Sequence, residues 1–176
     1  MKSARRLTFV AALAILALLA ARHRPVPPTP APGSWSGKVV GVADGDTIDV
    51  MHDGRSERLR LWGIDCPEKS QAFGQRAKQF TSDTVFGRTV TVLPHGTDRY
   101  GRTVAEVRGP DGNSLNEALL SAGMAWWYEP YAKHEVRFQQ LQERARAKRV
   151  GLWSDPHAEA PWEFRRAKRN RAPARR

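Results

Sequence analysis

Two Asp-Gly pairs, Asp44-Gly45 and Asp53-Gly54, cut the stretch 38–62 into three pieces of strand length. Asp-Gly supplies the backbone freedom a tight reversal needs, and between alternating apolar residues it is a hairpin signal. Residues 38–43 carry Val39, Val40 and Val42. Residues 47–51 place Ile48 and Val50 on one face, and in 58–62 Leu59 and Leu61 alternate with Arg58 and Arg60. This period-two pattern predicts three antiparallel strands in succession. Residues 89–93 and 103–107 read as two more.

Helices are expected between and after the strands. One runs from 73 or 74 to 86, followed by Gly87 as a C-cap. A second spans 114–122, with Ser114 as N-cap and Glu117 in capping-box position. A third, highly charged, spans 133–149 with Phe138, Leu141 and Ala145 as its apolar stripe. Five short strands with three helices make an α+β domain, and a small, partly open barrel is the natural way to close so few short strands.

The chain carries a formal charge of +11, but the charge is unevenly placed. Residues 1–36 hold five Lys/Arg and no acids, and 162–176 hold seven against one acid, while 37–161 balance 17 basic with 17 acidic residues. The expected folded unit is therefore neutral, and its arrangement of charges says more about partners than the total. The single Cys66 excludes an internal disulfide and a Cys-rich zinc site. The five histidines have no paired metal spacing and read as surface or loop residues.

The ends have their own logic. Lys2, Arg5 and Arg6 precede an apolar run at 7–21, so residues 1–21 read as a signal peptide or an N-terminal membrane anchor. Residues 22–36 are a proline-rich linker, 37–161 the folded domain, and 162–176 a basic tail that reads as solvated and partly disordered or, alternatively, as a phosphate-attracting arm. Both readings of the leader predict export: a periplasmic or secreted protein, or one held at the outer face of the inner membrane.

Three segments inside the neutral domain bring acids and arginines together: Asp44-Gly45-Asp46-Thr47, Arg60 through Glu68, and Asp98-Arg99-Tyr100-Gly101-Arg102. Short carboxylates at a strand turn can converge on a hard cation, with Asp65 as a second donor. The loop is not an EF-hand, since the fifth position from Asp44 is Ile48 and the sixth is Asp49 rather than Gly. Glu68 can orient a water or take its proton. Arg60, in a strand between Leu59 and Leu61, needs a partner: either a structural ion pair with one of the aspartates, or a phosphoryl group held by its fork. Gly101 precedes Arg102 in a tight turn that would aim it. Acids and arginines together suit metal-assisted cleavage of a phosphodiester.

In the order DGDT, RLxxxDxPE and DRYGR, residues 36–153 resemble the thermonuclease, or staphylococcal nuclease-like, family. The resemblance implies a five-stranded OB-fold β-barrel with three α-helices. It further implies Ca²⁺-dependent hydrolysis of DNA and RNA with little sequence preference, leaving 3′-phosphate ends. By match, Asp46 and Asp65 would bind Ca²⁺ through side chains and Cys66 through its carbonyl, with Asp44 just outside. Arg60 and Arg102 would clamp the scissile phosphate, Glu68 would activate water, and Arg99 and Tyr100 would hold a terminal phosphate. Trp126 and Tyr128 match aromatics near the nucleotide and would favour single-stranded or fraying substrate, with Trp127 left to the core. Cys66 stands where the best-known member has Thr, and the loop 69–74 is shorter than in that member. The chain is expected to act as a monomer, with residues 7–21 as a possible membrane tether. The rival reading is a non-catalytic OB-fold module that binds nucleic acid.

Overall fold

The computed structural model describes residues 32–171. The expected leader, most of the proline-rich linker and the last five residues lie outside that range. No helix among the described residues is long and apolar enough to cross a membrane.

The main strands are β1 (Trp35–Asp44), β2 (Thr47–His52), β3 (Arg55–Leu61), β5 (Thr89–Thr97) and β6 (Thr103–Arg108). They close a barrel in the order β1-β2-β3-β6-β5. The first three form the expected meander. Asp53 and Gly54 both take positive φ, 47° and 77°, the conformation of a two-residue hairpin turn. β1 begins two residues inside the stretch read as linker, because Trp35 and Ser36 pair with Val92 and Thr91 of β5. β5 also runs past its expected end at 93, through Pro94 and Gly96, where the register to β6 shifts. Such a shift is where a strand tolerates proline. β3 and β6 are parallel, with Leu59 opposite Thr103 and Arg60 opposite Val104. Two short strands, β4 (Ile64–Asp65) and β7 (Trp126–Trp127), pair outside the barrel.

The inward faces of the strands, including Val39, Ile48, Val50, Leu59, Leu61, Val90, Val92 and Val107, are buried almost completely and form one core with Leu115, Leu119 and Leu120. Three helices match the expected ones: α1 (Gly74–Val85), α2 (Leu115–Ser121) and α3 (Val136–Ala147). Ser114 caps α2, accepting from the Glu117 amide at 3.4 Å. The fully buried Asn116 on α2 accepts from the Val107 amide at 3.1 Å and donates to the Trp62 carbonyl at 2.9 Å. It thereby satisfies strand-end groups that burial would otherwise leave unpaired.

The helix count among the described residues is four, not three. α4 (Pro161–Arg171) lies in the stretch read as a disordered tail. Pro161 opens it, where the missing amide costs no helical hydrogen bond. Its composition is so polar that periodicity gives no hint of it. Its Trp162 ring meets Trp126 at 5.7 Å and Tyr128 at 5.4 Å between centroids, and these contacts seat it on the domain.

Candidate active site

The first acidic turn is held from three sides. Leu61 of β3 donates its amide to the Asp46 carbonyl at 2.8 Å, and Thr81 of α1 donates its hydroxyl to the Gly45 carbonyl at 2.5 Å. A Cβ at position 45 would lie 2.8 Å from both the Ala77 and the Cys66 Cβ atoms, so only glycine lets the turn settle onto α1. Asp44 receives the Asp46 amide at 3.4 Å. The Asp46 carboxylate receives the Cys66 amide at 2.6 Å. The Cys66 thiol packs beneath Gly45, buried, and that burial raises its pKa. The side chain is thus part of the core and takes no part as a thiolate.

β2 sets Thr47 opposite Arg60, which carries the arginine to the acidic turn. Its Nη1 pairs with Asp46 Oδ2, and its Nη2 donates to Asp65 Oδ1 at 2.7 Å and to the Ile64 carbonyl at 3.2 Å. The two aspartates are 5% and 2% exposed, so this is an ion-paired group with very little water. The guanidinium is fixed by both acids at once, and its Nε–H has no protein partner among the described residues. One of the two expected roles of Arg60, the structural ion pair, is therefore present.

Glu68 joins the cluster through a residue that the motifs do not contain. Arg165 of α4 donates to Glu68 Oε1 at 2.8 Å, to Asp65 Oδ2 at 2.7 Å and to Asp65 Oδ1 at 3.2 Å. Burial of Arg165 works against its charge, but the hydrogen bonds to Asp65 and Glu68 outweigh it and hold its pKa above the ordinary arginine value. The loop carrying Glu68 is braced by Gln71, whose amide donates to the Glu68 carbonyl at 2.8 Å and whose side chain donates to the Glu159 carbonyl at 2.6 Å. Nothing in the sequence sets Arg165 apart from the other tail arginines. The only hint is two aromatics, Trp162 and Phe164, in an otherwise solvated stretch.

Arg102 immediately precedes β6, the strand beside β3, but is held separately. Its Nε donates to Asp98 Oδ2 at 2.7 Å and its amide to Asp98 Oδ1 at 3.0 Å, inside a turn closed by the Gly101 amide on the Asp98 carbonyl. Gly101 takes φ 79°, which favours glycine. Burial raises the Asp98 pKa, yet the amide and side-chain donors of Arg102 and the Tyr100 amide bring it below the ordinary carboxylate range. The Arg102 Nη groups have no hydrogen-bond partner among the described residues. Tyr100 is 69% exposed, and Arg99 donates to its hydroxyl at 2.7 Å.

Trp126 and Tyr128 are half-buried, and each has aromatic neighbours. Trp126 sits in a second core cluster, edge-on to Trp153 at 4.4 Å, and Tyr128 stacks on Tyr131 at 5.2 Å. Trp162 of α4 lies against both. Each ring lies partly against protein, as large aromatics tend to, and each stays partly exposed. Trp127, assigned to the core, packs against the main core as expected.

The donor chemistry fits a hard divalent cation: two buried carboxylates, a further carboxylate nearby, and a thiol turned away. Among the described residues no three His, Cys, Asp or Glu side chains form a metal-binding group. A cation held here would take Asp46 and Asp65, with backbone carbonyl and water completing its oxygen shell.

Residues 58–155 match the family described as Staphylococcal nuclease homologue. This chain belongs to that family. The match runs from Arg58 in β3 to Asp155, so the barrel is the family's OB-fold and α4 lies beyond the matched stretch. The chain is 41% identical over 168 residues to a micrococcal nuclease of Shigella flexneri, covering 90% of this chain and 97% of that protein. It is 46% identical over 152 residues to Protein ParB of Escherichia coli, covering 81% and 86%. An endonuclease of Escherichia coli O157:H7 is 44% identical over 132 residues, covering 75% and 86%.

Proposed function

We propose that this chain is an exported, Ca²⁺-dependent nuclease that hydrolyses DNA and RNA phosphodiester bonds and leaves 3′-phosphate ends. One observation carries the reading: Asp46 of the first acidic turn and Arg60, Asp65 and Glu68 of the 60–68 segment, the last through Arg165, meet in one ion-paired cluster. Family membership and the nuclease names of its relatives support it.

A bound divalent cation would lower the cost of negative charge gathering on the phosphoryl oxygens. The protein groups divide the remaining work. Glu68 takes the proton of the attacking water at its carboxylate. Arg60, locked by two aspartates, and Arg102, aimed by Asp98, offer guanidinium N–H groups to the phosphoryl oxygens. Because both are fixed before substrate arrives, little reorganisation accompanies the reaction. Water attacks phosphorus in line, the P–O5′ bond breaks, and the phosphate stays on the 3′ side. Unpaired strands fit best, since their backbone bends into a site set between strand ends. The protein acts as a monomer outside the cytoplasm, with residues 1–21 as cleaved leader or tether.

Heat-denatured DNA incubated with calcium is expected to be degraded, and the same mixture with chelator to be stable. Full activity in chelator would remove the cation from the reading. Glu68→Gln should keep the fold while losing on the order of 10²–10⁴ in turnover. Binding without cleavage by the unaltered protein would instead favour the non-catalytic OB-fold module, against which the presence of Asp46, Arg60, Glu68 and Arg102 speaks.

A further inference from the structure

α4 adds more than Arg165 to this site. Residues 165, 168 and 169 stand at helical spacings of three and four, on one face. Together with Glu68, Ser70 and Phe164, the side chains Arg165, Lys168 and Arg169 line a cleft of about 360 Å³. The cleft opens beside the Glu68 carboxylate. Among the described residues neither Lys168 nor Arg169 has a carboxylate partner. Arg166, between them and Arg165 in sequence, pairs instead with Glu163 at 3.7 Å. Cations in the last turn of a helix are favoured by its dipole. That accounts for their being basic, but not for their lining a cleft that Glu68 also lines. Like charges held together on one wall repel unless an anion lies between them.

We infer that this cleft is a strand-binding subsite, in which Lys168 and Arg169 hold a backbone phosphate next to the scissile one and Phe164 lies against its sugar or base. The inference rests on the nuclease reading for the identity of the anion as a nucleic-acid strand. It assigns to α4, outside the family match, the task of gripping the strand beyond the bond that is cut. It also gives the basic C-terminal segment a defined place to act, rather than a diffuse attraction.

The test compares the full chain with its Lys168→Ala/Arg169→Ala variant, and with Arg166→Ala as a charge control. Fluorescence anisotropy of a single-stranded oligonucleotide is followed across salt concentrations, with Glu68→Gln present in every protein so that the strand survives. Loss of the grip on one phosphate should flatten the slope of log K against log salt by about 0.7. In the cleaving proteins, KM for the oligonucleotide should rise about tenfold with kcat held. Hydrolysis of bis(p-nitrophenyl) phosphate, which has no neighbouring phosphate, should be unchanged. An unchanged slope and KM in the double variant would overturn the inference, as would an equal loss in Arg166→Ala or an equal loss on the small ester. The binding arm needs no turnover. Failure of the unaltered protein to cleave would therefore refute the nuclease reading, while the salt slope by itself would still uphold or overturn the phosphate-binding role of the cleft.

Discussion

Arg60→Ala separates the structural and chemical roles of the central guanidinium. In the unaltered protein Asp65 has two arginines, while Asp46 has Arg60 and otherwise only neutral donors, the Cys66 amide at 2.6 Å and the Thr47 hydroxyl at 3.3 Å. Removing Arg60 thus leaves one buried carboxylate without a counter-charge rather than two. Breaking a buried pair in this way costs about 3–5 kcal/mol, and a single uncompensated acid with amide donors belongs at the lower end, about 3 kcal/mol. For a domain of this size that is on the order of 10 °C in Tm. Calcium should return much of it, since a cation bound only by the folded state stabilises by mass action. Catalysis should not return, because a missing phosphoryl donor costs about 10²–10³ or more in kcat. Arg60→Lys should keep most of the stability and still lose activity, as an ammonium cannot fork between two acids and a phosphate. Thermal unfolding with and without calcium, alongside initial rates on denatured DNA, reads all of this. A Tm within about 2 °C of the unaltered protein, or activity restored by calcium alone, would show that Arg60 does not hold the acids as described.

Asp98→Asn tests how Arg102 is aimed. The Asp98 pKa is depressed in the folded state, so its stabilisation is present above the unfolded value of about 3.9 and is lost as pH falls through the folded value. The variant should be less stable than the unaltered protein at neutral pH in urea unfolding, and the gap should close in strong acid. A gap independent of pH would refute the assignment. Asn116→Ala should lower stability by about 2–4 kcal/mol, because it strips partners from both the Val107 amide and the Trp62 carbonyl. The urea midpoint checks it, and an unchanged midpoint would mean that water replaces both bonds.

The meander was legible because Asp53-Gly54 and the alternation of Ile48, Val50, Leu59 and Leu61 are local signals that burial then reinforces. The meeting of Asp46, Arg60 and Asp65 was legible from motif order, since those residues sit at or beside strand ends whose pairing brings them together, whereas Glu68 joins them through Arg165. α4 was not. Its long charged run carries no periodic apolar face, and what holds it is tertiary: Trp162 on the aromatic cluster, and Arg165 on acids about a hundred residues earlier. The contacts of Trp162 with the half-buried Trp126 and Tyr128 were hidden by the same distance. β4 and β7, at two residues each, are too short to leave a pattern.

On the proposed mechanism, the parallel pairing of β3 with β6 sets when the site is assembled. Its partners are more than forty positions apart, with α1 and β5 between them, and such long-range closure is slow compared with hairpin formation. Arg60 and Arg102 belong to opposite sides of that seam. A chain still emerging from the ribosome can form the first hairpins and the acidic turn, yet it has no cutting edge until the seam shuts.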